Sequence, residues 1–131
     1  MIEVTCAIII HGNKILAVQR GPETDHPYQW EFPGGKIRKN ESAEESIRRE
    51  IMEELSVEIE IIKELVLVEY DYGIKQIKLI PFVCRLKNGD LYLTEHIALT
   101  WFDRANVAEL NWSEADRELI RTNEKFFFTT D

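Results

Sequence analysis

The chain has 131 residues, a length typical of one domain with enough apolar surface to bury a hydrophobic core. Hydrophobic residues make up 44% of it and charged residues 31%, as in ordinary globular proteins, so we expect a single domain over residues 1–131. The formal net charge of −8 argues against binding of duplex nucleic acid through a basic surface.

The N-terminal sequence and the cysteines favour a cytoplasmic protein. The first segment, MIEVTCAIII, lacks the basic region of a signal peptide and is typical of a strand. Apolar runs stay shorter than the ~18 residues that would cross a membrane, so we expect no membrane association. Cys6 and Cys84 lie in apolar, strand-like runs without metal-ligand spacing, and we expect both to be free, buried thiols.

Apolar runs and turn residues predict a strand-rich first part of the chain. The expected order is a strand over 2–10, a turn at 11–13, a strand over 14–20, a loop over 21–29 and a short extended segment over 30–33. A glycine pair and a polar loop then lead into a helix from about Ser42 to Leu55, which Asn40 or Ser42 could cap.

The rest of the chain mixes both kinds of element. The pattern predicts strands over 57–70, 74–86, 91–93 and 98–102, a helical turn over 103–110, a helix over 113–123 and no clear structure over 124–131. Strands and helices in this order predict an α/β fold, in which helices cover both faces of a mixed β-sheet as an α/β/α sandwich.

Three carboxylates are concentrated on the predicted central helix. Glu50, Glu53 and Glu54 are spaced i, i+3 and i+4, so they are neighbours on the helix surface and repel one another. An apolar stripe that includes Ile47 and Ile51 lies beside Glu50 and Glu54, whereas Glu53 lies further round the helix. A hard divalent ion such as Mg²⁺ or Mn²⁺ would stabilise this group. The alternative is an ordinary solvated, charged helix face.

The residues around the cluster favour the metal site. The chain contains, in order, Gly35, five residues, Glu41, seven residues, Arg49-Glu50-Ile51, one residue, Glu53-Glu54, one residue, and Ser56-Val57. This spacing closely resembles the Nudix box. The preceding WEFPG resembles the segment that leads into that box. The departure is Ser56, where the family has a glycine for a left-handed turn; serine there would carry a strain of roughly 1 kcal/mol. The resemblance implies the α/β/α Nudix fold and hydrolysis of phosphoric anhydrides.

The same resemblance implies roles for individual residues. Its metal ligands fall on Gly35, Glu50, Glu53, Glu54 and Glu95. Its catalytic group falls on Glu53, Glu50, Glu95 and Arg49, of which Arg49 would hold a catalytic glutamate by a salt bridge. Glu95 enters this set because Glu95 to Trp101 resembles the E-x5-W segment of the MutT-like branch; the alternative is a solvated loop acid.

Four further residues are candidates for substrate binding. Arg20 aligns with a substrate-contacting arginine of that branch, Lys36 is placed to meet phosphate, and Phe32 could form an apolar wall against the base. Asp116 could accept a hydrogen bond from the exocyclic amine of cytosine or adenine, and the CTP pyrophosphohydrolase subgroup resembles the chain at this point. The alternative is that Ser113 and Asp116 only cap a helix.

These residues lead to one favoured function and several competitors. We expect an enzyme that uses Mg²⁺, or Mn²⁺, to hydrolyse a nucleoside triphosphate to the monophosphate and pyrophosphate, favouring CTP, dCTP or a modified cytosine nucleotide. The runner-up substrate is an oxidised purine such as 8-oxo-dGTP. A sugar nucleotide or dinucleotide would suit a longer chain, and a non-catalytic Nudix-fold binding module would usually lack box glutamates.

A monomer or homodimer is expected, and His26 and His96 are expected in loops at the site's mouth.

Overall fold

The computed structural model describes residues 1–128, in which eight strands form one mixed sheet. The strands are β1 (Ile2–His11), β2 (Lys14–Gln19), β3 (Trp30–Glu31), β4 (Gly34–Lys36), β5 (Glu58–Glu64), β6 (Val68–Asp71), β7 (Gln76–Asn88) and β8 (Ala98–Asp103). Strand β1 lies centrally, parallel to β7 and antiparallel to β2 and β4. Strand β2 also pairs with β3 and β8, and β7 also pairs with β5 and β6.

The described residues also form four helical segments: α1 (Ala43–Leu55), between β4 and β5, and, after β8, a 3₁₀ helix (Arg104–Glu109), α2 (Glu114–Thr122) and α3 (Glu124–Phe128). Ser42 is the N-cap of α1 and forms a reciprocal capping box with Glu45. The helix ends at Ser56, which has the left-handed conformation with φ 61° and ψ 32°. The predicted left-handed turn is therefore present, with serine in the position that favours glycine.

The sheet separates two hydrophobic cores because alternate residues of β1 point to opposite faces. Ala7 and Ile9 pack on the side of α1, which buries Ile47, Ile51 and Leu55 against them. Cys6 and Ile8 pack on the other side, where α2 contributes Leu119 and Ile120. The predicted α/β/α sandwich is confirmed.

Three predicted segments need correction. The strand expected over 57–70 is two strands, because the side chain of Asn123, which ends α2, bonds both backbone groups of Val66 in the gap between them. Residues 91–93 are not a strand, since the Tyr92 N–H donates to the Leu55 carbonyl at the end of α1, 3.0 Å away. Part of the patternless tail forms α3, which buries Phe127; residues 129–131 lie outside the described region.

The thiols and the helices agree with the expectations from sequence. Both cysteines are free and buried, Cys6 against one face of the sheet and Cys84 against the other. None of the helices in residues 1–128 is long and apolar enough to cross a membrane.

Candidate active site

The carboxylates of α1 differ in burial as the helical geometry predicts. Glu54 is 3% exposed, the side chain of Glu50 is 16% exposed and that of Glu53 is 45% exposed. Glu50 and Glu54 border the buried stripe of the helix, and Glu53 faces further into solvent. The helix thus presents a graded set of acids, from buried to accessible, on one side.

Arg49 connects the exposed members of this set. Its guanidinium donates two hydrogen bonds to Glu41, of 2.6 and 2.9 Å, and further bonds to Glu50 at 2.8 Å and Glu53 at 3.2 Å. The hydrogen bond from Arg49 lowers the pKa of Glu41 to about 2, and bonds to Glu41 and Glu50 raise the pKa of Arg49. Arg49 thus forms salt bridges with Glu41, Glu50 and Glu53, and its role in holding a catalytic glutamate stays a prediction.

Glu54 is the carboxylate in the least favourable surroundings for its charge. Its Oε2 atom is buried and has no hydrogen-bond partner among the described residues. Burial, followed by the negative charges of Glu50, Glu95 and Glu31, raises the pKa of Glu54 to about 9. A buried, unpaired carboxylate in a negative environment gains stability when it is protonated or binds a cation.

The glycine pair before α1 provides room for these acids. Strand β4, which contains both glycines, pairs with β1 where a loop was expected. A Cβ atom on Gly35 would lie 2.4 Å from Cδ of Glu50, and one on Gly34 would lie 2.0 Å from the carbonyl oxygen of Thr5. Only glycine fits at position 34, where the neighbour is backbone, and any larger residue at position 35 would displace the Glu50 carboxylate, so β4 and this carboxylate approach each other closely.

The donor set fits a hard divalent ion, although the side chains are not arranged around one. Within residues 1–128 no three acidic, His or Cys side chains converge as an ion's ligands would. Arg49 instead bonds Glu50 and Glu53, and Oε2 of Glu54 has no hydrogen-bond partner among the described residues. Oxygen ligands of this kind suit Mg²⁺ or Mn²⁺, which keep several waters and use few protein ligands.

Glu95 lies beside the acids of α1 despite its distance in sequence. The preceding Thr94 donates its N–H to the Glu54 carbonyl at 3.2 Å and its hydroxyl to the Glu53 carbonyl at 2.9 Å. The charge of Glu95 is near enough to raise the pKa of Glu54. The structure therefore brings Glu95 to the C-terminal end of the box helix.

A cavity of about 210 Å³ adjoins the glycine pair and contains all four predicted substrate residues. Its walls include Arg20, Phe32, Lys36 and Asp116, with Gly35 at the side nearest the carboxylates. Phe32 is itself buried and packs against the rings of Trp112, at 4.8 Å between centroids, and Phe127, at 5.6 Å.

Asp116 serves the fold and faces this cavity. Its Oδ1 accepts from the Phe32 N–H at 2.9 Å, and its Oδ2 accepts from the Ser113 hydroxyl. Ser113 makes no side-chain cap bond, so the alternative capping box is not formed. Burial and the charge of Glu31 raise the pKa of Asp116 to about 7, although these hydrogen bonds oppose the rise.

Sequence reasoning missed the residue that joins the cavity to the acids. Glu31 in β3 accepts from Arg20 at 3.0 Å and pairs with Nε2 of His96 at 2.9 Å. Arg20 also pairs with Asp25 in the loop after β2, at 2.6 Å. The sequence feature that could have indicated a role for Glu31 was its place in the WEFPG segment. Its partners could not be predicted, because they are distant in sequence. His26 lines the cavity as expected, and His96 lies in a loop as expected, with its side chain buried.

Comparison with known proteins places the chain in a family. The NUDIX domain model matches residues 1–122. The chain is 32% identical to the CTP pyrophosphohydrolase of Escherichia coli (strain K12) over 120 residues, which cover 92% of this chain and 89% of the relative. It is 29% identical to the 8-oxo-dGTP diphosphatase of Buchnera aphidicola subsp. Schizaphis graminum over 125 residues, which cover 95% of each protein.

A solved structure agrees with these relatives. The solution structure of the Escherichia coli ORF135 protein superimposes with a TM-score of 0.80 and 31% identity, covering 93% of this chain and 87% of that one. The match of the domain model over most of the chain, the box residues and the fold lead to one assignment. The chain belongs to the Nudix hydrolase family.

Proposed function

We propose that this protein hydrolyses nucleoside triphosphates to the monophosphate and pyrophosphate with Mg²⁺ or Mn²⁺, and that CTP, dCTP or a modified cytosine nucleotide is preferred. Nudix hydrolases generally use divalent metals. The observation that carries the proposal is the contiguity of the α1 acids with the cavity through Gly35, which lines the cavity and lies close against the Glu50 carboxylate. A triphosphate can thus lie towards the acids while its base enters the cavity.

Residues at different positions of the site have different proposed roles in metal binding, substrate binding and proton transfer. Gly35, Glu50, Glu53, Glu54 and Glu95 would hold divalent ions, which supply Lewis-acid stabilisation of phosphate charge and an activated water. Lys36 and Arg20 would bind phosphate or sugar oxygens as cations. Glu53 and Glu95 are the accessible candidates for accepting a proton from the attacking water. A non-catalytic module is disfavoured because the box glutamates are all retained.

The hydrolytic proposal is tested by pyrophosphate release across a nucleotide panel. Activity should require Mg²⁺ or Mn²⁺ and fall by at least about 100-fold in Glu53→Gln and Glu54→Gln, because each change removes a charged ligand while preserving size. Glu44→Gln, which changes an exposed acid in the first turn of α1, is the matched control. Full activity in EDTA, or in both variants, would contradict the proposal.

The preference for cytosine depends on Asp116. If an ionised Asp116 accepts a hydrogen bond from the exocyclic amine, kcat/KM for CTP or dCTP should exceed that for UTP or dTTP by about 10- to 100-fold. Asp116→Asn should weaken the preference, since an amide can also donate, and Asp116→Ala should bring the substrates towards parity. Equal use of CTP and UTP by the unmodified protein would contradict the role of Asp116.

An oxidised purine nucleotide is the second candidate, and the same residue favours it. The pKa of about 7 allows Asp116 to be protonated near neutral pH, when a carboxyl group both donates and accepts hydrogen bonds as an amide does. The Buchnera relative is an 8-oxo-dGTP diphosphatase. A higher kcat/KM for 8-oxo-dGTP than for every cytosine nucleotide in the panel would select this candidate.

A further inference from the structure

The segment that carries Glu95 has fixed ends but little support in between. Before Glu95, the backbone is tied to the end of α1 by Tyr92 and Thr94, whose N–H groups donate to the Leu55 and Glu54 carbonyls at 3.0 and 3.2 Å. After it, the Ile97 N–H donates to the Gln19 carbonyl in β2 at 3.0 Å. Glu95 and His96 lie between these attachments.

The side chain of His96 provides the support in this interval. It is 5% exposed, and its Nε2 lies 2.9 Å from Oε2 of Glu31 in β3. The imidazole therefore reaches from the Glu95 segment across to the sheet, and burial makes the loss of this bond costly. The bond constrains the backbone immediately after Glu95, where a small rotation would move the carboxylate relative to Glu54.

The opposite oxygen of Glu31 extends this connection to the substrate cavity. Oε1 accepts from Nη1 of Arg20 at 3.0 Å, and Arg20 lines the cavity. Glu31 thus uses one oxygen for the Glu95 segment and the other for the cavity wall. One carboxylate fixes the relative positions of two parts of the site that are remote in sequence.

We propose that His96 is a positioning residue that holds Glu95 at the metal site through Glu31, and that Glu31 couples this placement to Arg20 in the substrate cavity. The inference rests on the proposed function, because it assigns Glu95 to the metal site. Outer partners of this kind orient metal ligands, and their loss typically lowers metal affinity or activity by about 10- to 100-fold. The hydrogen bond, rather than the charge of the imidazole, carries the effect.

The first test measures metal binding without substrate. Mn²⁺ is titrated into the nucleotide-free protein, and free Mn²⁺ is followed by electron paramagnetic resonance. His96→Leu should weaken binding by about 10-fold, whereas His96→Gln, which keeps a donor at similar reach, should restore most of the affinity. His11→Leu, a change of an exposed histidine at the end of β1, is the control and should bind as the unmodified protein does.

The second test separates positioning from general destabilisation. In steady-state assays His96→Leu should lower kcat by about 10-fold with little change in KM, whereas Glu31→Gln should lower kcat and also raise KM through Arg20. In a Glu31→Leu background, which removes the acceptor of the His96 hydrogen bond, His96→Leu should have a much smaller effect.

Several results would overturn the inference. They are unchanged Mn²⁺ affinity in His96→Leu, failure of His96→Gln to restore it, and an undiminished effect of His96→Leu in the Glu31→Leu background. If His96→Leu does not fold, His96→Asn takes its place, because its shorter side chain keeps a donor that does not reach Oε2 of Glu31. Weaker Mn²⁺ binding by His96→Asn than by His96→Gln then supports the inference, and equal affinity of the two variants overturns it. Glu54→Gln distinguishes the two proposals, because unchanged activity and affinity there would refute the proposed function instead.

Discussion

Asp116 offers a direct test of the electrostatics of the cavity. Its carboxyl group is buried, and the pKa rises from 3.8 to about 7, chiefly because burial disfavours the charged form. The folded protein therefore binds a proton at Asp116 between about pH 4 and pH 7 that the unfolded chain releases. This contribution to the unfolding free energy is fully present below about pH 4 and is lost as the pH rises through 7.

The size of the effect follows from the shift. Three pKa units at about 1.4 kcal/mol each correspond to about 4 kcal/mol between the two ends of this range. Asp116→Asn removes the titration, while the amide oxygen can still accept from the Phe32 N–H and the amide nitrogen can donate to Ser113 Oγ. Relative to the unmodified protein, the variant should therefore gain up to about 4 kcal/mol in unfolding free energy from pH 4 to pH 8.

Urea denaturation in EDTA at several pH values measures this difference. EDTA removes metal from the carboxylate cluster, and subtraction of the two curves cancels the titration of groups that both proteins share. Asp90→Asn, the same change at an exposed position, is the matched control. A difference for Asp116→Asn that varies with pH no more than that of the control would show that burial does not raise the pKa of Asp116.

Two further predictions concern single positions. Glu95→Gln should lower kcat more than it changes KM for the preferred nucleotide, because a base or metal ligand acts mainly in the transition state; a rise in KM alone would contradict this. Ser56→Gly should raise the unfolding free energy by about 1 kcal/mol, since glycine adopts the left-handed conformation at φ 61° without strain, and an unchanged or lower thermal midpoint would refute it.

The parts of the site that the sequence predicted are those that local geometry determines. The graded burial of Glu50, Glu53 and Glu54 follows from the helical period once the apolar stripe is recognised. The closeness of Gly35 to Glu50 could be expected only from the resemblance to the box, because fifteen residues separate them. Periodicity and family resemblance were thus sufficient for the box.

The parts that were missed depend on contacts between distant segments. The strand expected over 57–70 is interrupted because Asn123 bonds Val66, and no local pattern reports a partner 57 residues away. Glu31 and His96 are 65 residues apart, and each alone is typical of a solvated polar residue. Their significance arises from burial and pairing in the folded chain.

The arrangement of charge around α1 links the fold to the proposed chemistry. Arg49 neutralises Glu41, Glu50 and part of Glu53 from one side, but no described residue donates to Oε2 of Glu54. Burial, and then the charges of Glu50, Glu95 and Glu31 around it, favour the neutral form of Glu54, so the negative charge lies beside Glu54 rather than on it. A polyanionic triphosphate would be repelled from such a place, so bound cations are needed to reverse the local field before it can enter. The same acids would then make metal binding a precondition for substrate binding.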